Sequence, residues 1–513
     1  MRRSSRRKFL RRTAALAAAS SLTGAAQLPP PTGADAESCG SVWEQPPKQQ
    51  GNNLNLILLV SDTFRADNLE CYGSRWIECP NLNRFARECL LFADAYPEGM
   101  PTIPIRRTLV TGRRILPFYH HRQHEPVQLP GWHELYNEDV TLSETLRECG
   151  YICALHADIP HLERPGKNFH RGYHHYEWVR GHEADSYATA PRRPPDFSDL
   201  YPASYLQLPQ LRESLPRFLN QYTANRRRWL QHGESLVEQT SKNALRWLKE
   251  NHAQSPFFLH VEAFDPHEPW DPPRRFLEKY LPNPKGHSWP EPPYADVPVP
   301  EEGIKRLRAN YAGEAACVDY WFGQVLDTIR QLGLLDNSVT VFLSDHGTLL
   351  GEQGQFLKGP ERLRTQVTHI PVLIRLPNKE RAGQRVKGFA QIPDLMPTLL
   401  GRLGLKPPSR VTGADLWPLV TGETSSLREY VVEAYGWIAA VRTPEWNFSR
   451  AWKPEKLQKP YAPQLYNCES DPQELTNVAA KYPDIVKRLS ARLDEYLASG
   501  EAITRGSFHE RPG

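Results

Sequence analysis

Three short apolar runs, far apart in the chain, each lead into polar residues of the kind that do chemistry. Residues 54–60 (Leu-Asn-Leu-Ile-Leu-Leu-Val) lead into Ser61-Asp62-Thr63, and residues 339–343 into Ser344-Asp345-His346-Gly347. Residues 257–261 are followed shortly by Asp265-Pro266-His267. Near-continuous apolar runs of this length read as strands buried on both faces, the habit of parallel sheets covered by helices. In open α/β sheets the ligand crevice lies just beyond the carboxyl ends of the strands. The pattern therefore predicts an α/β fold that delivers aspartates and histidines to one edge of its sheet. Carboxylate oxygen and imidazole nitrogen together suit Zn²⁺, Mn²⁺ or Ca²⁺. Taken singly, an aspartate after a strand can be a plain helix cap and a lone histidine a packing residue.

Between these runs the spacing is helical. Helices are predicted over 81–89 and over 141–149, the second opened by a capping box, Thr141-Leu142-Ser143-Glu144, and stopped at Gly150. A long helix over 302–332 carries Ile304, Leu307, Tyr311, Val318, Phe322, Val325 and Ile329 on one face. After Pro407-Pro408 the texture changes to short alternating runs at 430–441 and a last helix at 480–498. The fold class is thus α/β: a large mixed, mostly parallel sheet between helices over 52–420, then a smaller α+β domain over 421–513.

The first 36 residues read differently. Seven basic side chains crowd the first twelve positions, ahead of an alanine-rich run, and Ser5-Arg6-Arg7-Lys8-Phe9-Leu10 resembles a twin-arginine export signal. Ala34-Asp35-Ala36 offers a cleavage site, with one nearer Ala25 as the alternative; a basic amphipathic tail is the plainer reading of the whole segment. Export to the periplasm or exterior is expected, with 37–51 as a proline-rich linker. Residues 1–36 hold seven basic residues and Asp35, so the remainder carries a net charge of −2 where the whole chain carries +4. That balance gives no general attraction for nucleic acid, and no later run is long and apolar enough to cross a bilayer. Eight cysteines show no mini-protein spacing; Cys149 and Cys153 stand four apart without a dense His/Cys cluster, so no zinc finger is read.

At this point the residues form a recognisable series. Ser61-Asp62-Thr63-Phe64-Arg65-Ala66-Asp67, then Cys71-Tyr72-Gly73 and Pro80-Asn81-Leu82-Asn83-Arg84-Phe85-Ala86, resemble the opening of the sulfatase family within the alkaline phosphatase superfamily. Thr102-Ile103-Pro104-Ile105-Arg106 through Gly112-Arg113 is similar to its active-site signature, with threonine where that family keeps a modifiable cysteine or serine. Ser344-Asp345-His346-Gly347 with Lys358, then Asp394 to Leu400 and Leu465-Tyr466-Asn467, continue in the family's order. The resemblance implies one divalent metal ion, calcium by analogy, held by Asp62, Asp345 and His346, with Thr102 at the nucleophile position. It also implies that Arg106 steadies the nucleophile, and that His267 and Lys358 hold the substrate's oxygens or protonate the leaving group. The substrate would be a small-molecule or glycan sulfate or phosphate ester.

The departures carry chemistry of their own. The family's paired aspartate is Asp62-Thr63 here, and its Gly-Lys-Trp-His segment is replaced by His156-Ala157-Asp158-Ile159-Pro160-His161, leaving His161 as the candidate for the histidine. His369 reads as structural. Formylglycine, formed in this family from cysteine or serine, is not expected at Thr102. A threonine hydroxyl can still attack in line when a nearby cation lowers the cost of ionising it, but the resulting ester must be opened by water. That favours phosphate or phosphonate esters over alkyl sulfates. A phosphoryl transferase and a non-catalytic binder of sulfated or phosphorylated glycans are the alternatives, since fold alone does not secure function. The run 170–176 and Trp270 could line a sugar site or simply pack.

Overall fold

A computed structural model of the chain describes residues 51–73, 76–119, 129–294 and 297–507. The expected export signal, and the linker as far as residue 50, lie outside the described residues.

The three apolar runs are neighbours at the centre of one eight-stranded sheet. Asn55–Ser61 lies between Phe257–Ala263 and Ser338–Ser344 and is parallel to both, Leu58 standing opposite His260 on one side and Val341 on the other. The full order is Arg385–Gln391, Leu90–Tyr96, Val372–Arg375, Ser338–Ser344, Asn55–Ser61, Phe257–Ala263, Ile152–Ala157, His175–Trp178. Val372–Arg375 is antiparallel to both neighbours, and the other pairings are parallel. The central strand shows why the run is apolar throughout. Ile57 and Leu59 enter the core on one face, and Leu56, Leu58 and Val60 enter the core on the other.

One face is covered by Glu301–Gln331 and Leu236–Asn251, the other by Thr102–Thr111, Leu142–Glu148 and Leu395–Arg402. The long helix buries the predicted stripe from Leu307 to Ile329, with Ile304 only half-buried, and each fully buried Leu307 or Phe322 side chain contributes about 1.5–3 kcal/mol. The capping box forms as read: Glu144 N–H donates to Thr141 Oγ1 at 3.1 Å and Thr141 N–H to Glu144 Oε2 at 2.8 Å. Gly150 takes the left-handed conformation, φ 87°, that ends this helix. The helix predicted over 81–89 is shorter, Pro80–Ala86. Two 16-residue helices, Ser214–Trp229 and Leu236–Asn251, are not anticipated by the sequence reading.

A C-terminal domain contains a second, mainly antiparallel sheet, ordered Gln464–Asn467, Trp446–Ala451, Ile438–Arg442, Val431–Tyr435. Helix Pro483–Gly500 packs on it through Leu489 and Leu493. Its last strand is Gly99–Met100, parallel to Val431–Tyr435, so this sheet grips the chain just ahead of Thr102. Among the described residues no helix is long and apolar enough to cross a membrane, and Cys71, Cys79, Cys89, Cys153, Cys317 and Cys468 are free thiols.

Candidate active site

Asp62 is the first residue beyond strand Asn55–Ser61, and Asp345 and His346 are the first beyond Ser338–Ser344. The two strands are in-register parallel neighbours, Ser61 beside Ser344, so they finish level and the three side chains meet. Their ligand-type atoms lie within 4.8 Å of one another and all three residues are buried. His346 Nδ1 is 2.9 Å from the Gly347 carbonyl and therefore carries the proton. That leaves the Nε2 lone pair without a hydrogen-bond partner, 3.5 Å from Asp345 Oδ2 and 3.8 Å from Asp62 Oδ1. An orphaned imidazole nitrogen facing two buried carboxylates is costly by itself and fits a divalent cation. Burial, then the neighbouring Asp345, push the Asp62 carboxyl well above the usual range. Burial opposes ionisation of Asp345 too, but Arg106 and His346 outweigh it and hold that group low.

Thr63 does not add a third acidic ligand. Its hydroxyl donates to Asp62 Oδ1 at 2.6 Å and its N–H to Asp345 Oδ1 at 2.9 Å, which orients both carboxylates. It does so at φ 60°, a strained region for a β-branched residue that costs on the order of 1–3 kcal/mol.

Thr102 opens helix Thr102–Thr111, and its Oγ1 donates to Asp62 Oδ2 at 3.1 Å. Arg106 stands one turn later on the same face. Its Nη1 donates to Asp345 Oδ2, its Nη2 to Glu262 Oε2 at 2.9 Å and its Nε to the same oxygen at 3.1 Å, with Nη2 also 3.6 Å from Asp62 Oδ2. The guanidinium thus joins three fully buried carboxylates, and its direct partners are these acids.

A cavity of about 650 Å³ opens over Thr102 and is also lined by His161, His267 and Lys358. Lys358 follows strand Gln355–Leu357, and its Nζ donates to His267 Nε2 at 2.8 Å and to Glu268 Oε1 at 2.9 Å. His267 Nδ1 is 2.7 Å from the Glu268 carbonyl, so the proton sits on Nδ1 and Nε2 accepts from the ammonium. His161 Nε2 is 3.2 Å from Glu183 Oε2, and its ring meets Trp132 edge-on at 5.0 Å. Thr102 therefore touches the acidic cluster on one side and the cavity on the other. Asp158 accepts from the Phe264 N–H at 2.6 Å and the Thr240 hydroxyl at 3.0 Å, an anchor for the strand end. His369 bonds the Ala93 carbonyl at 2.8 Å and packs on Tyr72 and Tyr96; Trp270 is buried against Tyr311, and Tyr173 stacks on Phe258.

Burial first, and the Lys358 cation second, keep His267 well below the usual imidazole range. The Lys358→Met variant removes only the second cause, so the His267 titration followed by NMR is expected to move upward while staying below about 6.5. An unchanged titration would contradict the pairing.

The family model described as Sulfatase matches residues 54–405, well over half of the chain. The chain belongs to the sulfatase family of ester hydrolases. A second model, described as N-sulphoglucosamine sulphohydrolase, C-terminal, matches 351–499 of this sulfatase. It is 24% identical to an arylsulfatase of Clostridium perfringens, an alignment covering 88% of this chain and 97% of that one. It is 24% identical to an N-acetylgalactosamine-6-O-sulfatase of Bacteroides thetaiotaomicron, covering 89% and 95%. The phosphonate monoester hydrolase of Agrobacterium radiobacter shares the fold, with a TM-score of 0.64 at 21% identity over 87% of this chain and 96% of that one.

The sequence reading of this sulfatase missed four acids. Glu262 and Glu268 pair with Arg106 and Lys358, while Glu183 and Glu291 line the cavity. Glu262 carries a signal, an acid directly ending an apolar strand run. Glu183 and Glu291 stand in long irregular stretches with none.

Proposed function

We propose that this chain hydrolyses a sulfate ester with the Thr102 hydroxyl as nucleophile, beside one divalent cation held by Asp62, Asp345 and His346. The observation that carries the reading is the 3.1 Å hydrogen bond from Thr102 Oγ1 to Asp62 Oδ2 at the floor of the cavity. When bound, the cation, calcium by the family resemblance, supplies positive charge that eases ionisation of the hydroxyl and polarises the transferring group. Asp62 takes the Thr102 proton as Oγ1 bonds to sulfur and the ester S–O bond breaks. Lys358, its charge steadied by Glu268, holds a sulfate oxygen and gives a proton to the departing alkoxide. Neutral His267 accepts from Lys358 and keeps the ammonium aimed. Water then attacks sulfur, giving a proton to the Lys358 amine, as the Thr102 Oγ1–S bond breaks and Asp62 returns its proton to Oγ1; sulfate leaves and Thr102 is restored.

The cavity, about 650 Å³, is within the range that holds a sugar or aryl group, and it offers both acidic and imidazole contacts. Sulfated glycans are the favoured substrates, a reading supported by the relative named for N-acetylgalactosamine-6-O-sulfate chemistry. Thr102 itself favours a second reading. Without a second hydroxyl to expel sulfate, the covalent ester must be opened at its central atom, which suits a phosphonate monoester or phosphodiester, and one structural relative is a phosphonate monoester hydrolase. The basic, twin-arginine-like leader supports work outside the cytoplasm.

The test is turnover of an aryl sulfate, an aryl phosphonate monoester and an aryl phosphodiester with Ca²⁺, Zn²⁺ and Mn²⁺ in turn. Cation-dependent release from the sulfate is the expected result. Faster release from a phosphorus ester would decide for the second reading. No release from any of them, with retention of a sulfated glycan on the protein, would overturn both and assign a binding role.

A further inference from the structure

We infer that the chain carries a second cation site, on the last two strands of the eight-stranded sheet, in which His156, His175 and Glu177 bind Zn²⁺ at the sheet edge. His156 lies in strand Ile152–Ala157, and His175 and Glu177 lie in the edge strand His175–Trp178. The two strands are parallel, with His156 directly opposite Glu177 and His175 two residues back on the same face. One nitrogen from each ring and one Glu177 oxygen lie within 4.8 Å of one another. His156 Nδ1 is 3.5 Å and His175 Nε2 3.7 Å from the same oxygen, Glu177 Oε2, and the rings tilt together at 4.9 Å.

The second observation is the state of His156. Its side chain is 1% exposed, and neither ring nitrogen has a hydrogen-bond partner; His175 Nε2 has none either. Buried imidazoles ordinarily satisfy both nitrogens, and two that turn bare lone pairs toward one carboxylate have the arrangement of ligands.

Two imidazoles and one carboxylate suit Zn²⁺, with water completing the shell, and suit Ca²⁺ poorly because calcium asks for six or more oxygens. A cavity of about 310 Å³ is lined by His175 and by Arg246. The competitor is Arg246, whose Nη2 lies 3.0 Å from both Glu177 oxygens, yet its side chain is 55% exposed and free to swing into solvent. A bound ion would clip the edge strand to its neighbour, only five residues before His161 in the cavity wall.

The test uses the full chain carrying Asp345→Asn, so that the site beside Thr102 contributes little, and measures Zn²⁺ affinity by chelator competition together with metal content. The parent is expected to bind one Zn²⁺, and His175→Ala, a change at a half-exposed position, to bind it at least about tenfold more weakly. Arg246→Ala, which removes the competing cation, is expected to bind up to about fivefold more tightly. Ca²⁺ is expected not to displace the bound zinc. Equal zinc content and affinity in the parent and His175→Ala would overturn the site, as would displacement by equimolar Ca²⁺. Neither outcome bears on Thr102 turnover, which is read separately in the wild-type chain.

Discussion

Replacing Thr102 with alanine is expected to lower kcat at least about a thousandfold while leaving the fold intact. The variant removes the hydroxyl proposed to attack and one hydrogen bond to Asp62, and leaves the acidic cluster, Arg106 and the cavity in place. Loss of that one hydrogen bond costs about 0.5–1.5 kcal/mol, so a comparison of denaturation midpoints separates a lost nucleophile from a lost structure. KM is expected to change little, because the His161, His267 and Lys358 contacts remain. Thr102→Ser keeps a hydroxyl at the head of the helix and is expected to retain activity within about tenfold. Alanine turning over at the wild-type rate would exclude position 102 from the chemistry.

The second large effect is expected at Arg106, and it is an effect on stability before activity. Asp62, Asp345 and Glu262 are at most 1% exposed, and Arg106 is the cation that reaches all three. Arg106→Met leaves these acids buried without it, a loss on the order of 3–5 kcal/mol by analogy with other broken buried pairs. Glu262 keeps His260 Nε2 at 3.1 Å, which softens but does not replace the missing charge. Arg106→Lys is expected to fall well short of wild type, since one ammonium cannot make the forked contacts to Glu262 and Asp345 together. Two checks follow by urea denaturation. A divalent cation is expected to recover part of the loss by serving Asp62 and Asp345, and Arg106→Met combined with Glu262→Gln is expected to be more stable than Arg106→Met alone. A single variant as stable as wild type without any cation would contradict the assignment.

Most of the fold and the inner site is legible in the sequence, for a definite physical reason. A strand buried on both faces must be apolar almost throughout, so the first polar residues after it mark the carboxyl edge of the sheet. Asp62, Asp345 and His346 stand where that rule points, together with Asp265 and His267, while their reading as metal ligands, and the choice of Thr102 and Arg106, come from the family resemblance. The rest depends on long-range geometry that spacing does not carry. Arg106 and Glu262 are 156 positions apart, and their pairing follows from which strand lies beside which. Gly99–Met100 is too short to show a strand period, yet it joins the C-terminal sheet. His156 and His175 read as unrelated residues until two parallel strands set them on one face. Helix Leu236–Asn251 was hidden differently: Leu236, Val237, Ala244, Trp247 and Leu248 mark its buried stripe, but polar residues separate them.

The proposed chemistry needs one cation held by Asp62, Asp345 and His346 against the Thr102 hydroxyl. The most direct measurement is anomalous diffraction from crystals of the wild-type chain soaked with a divalent ion that supports turnover. An anomalous peak bonded to Asp62, Asp345 and His346 Nε2, with Thr102 Oγ1 beside it, is the expected result. Crystals of an active preparation with no peak at that position, or with the ion bound away from Thr102, would contradict the account.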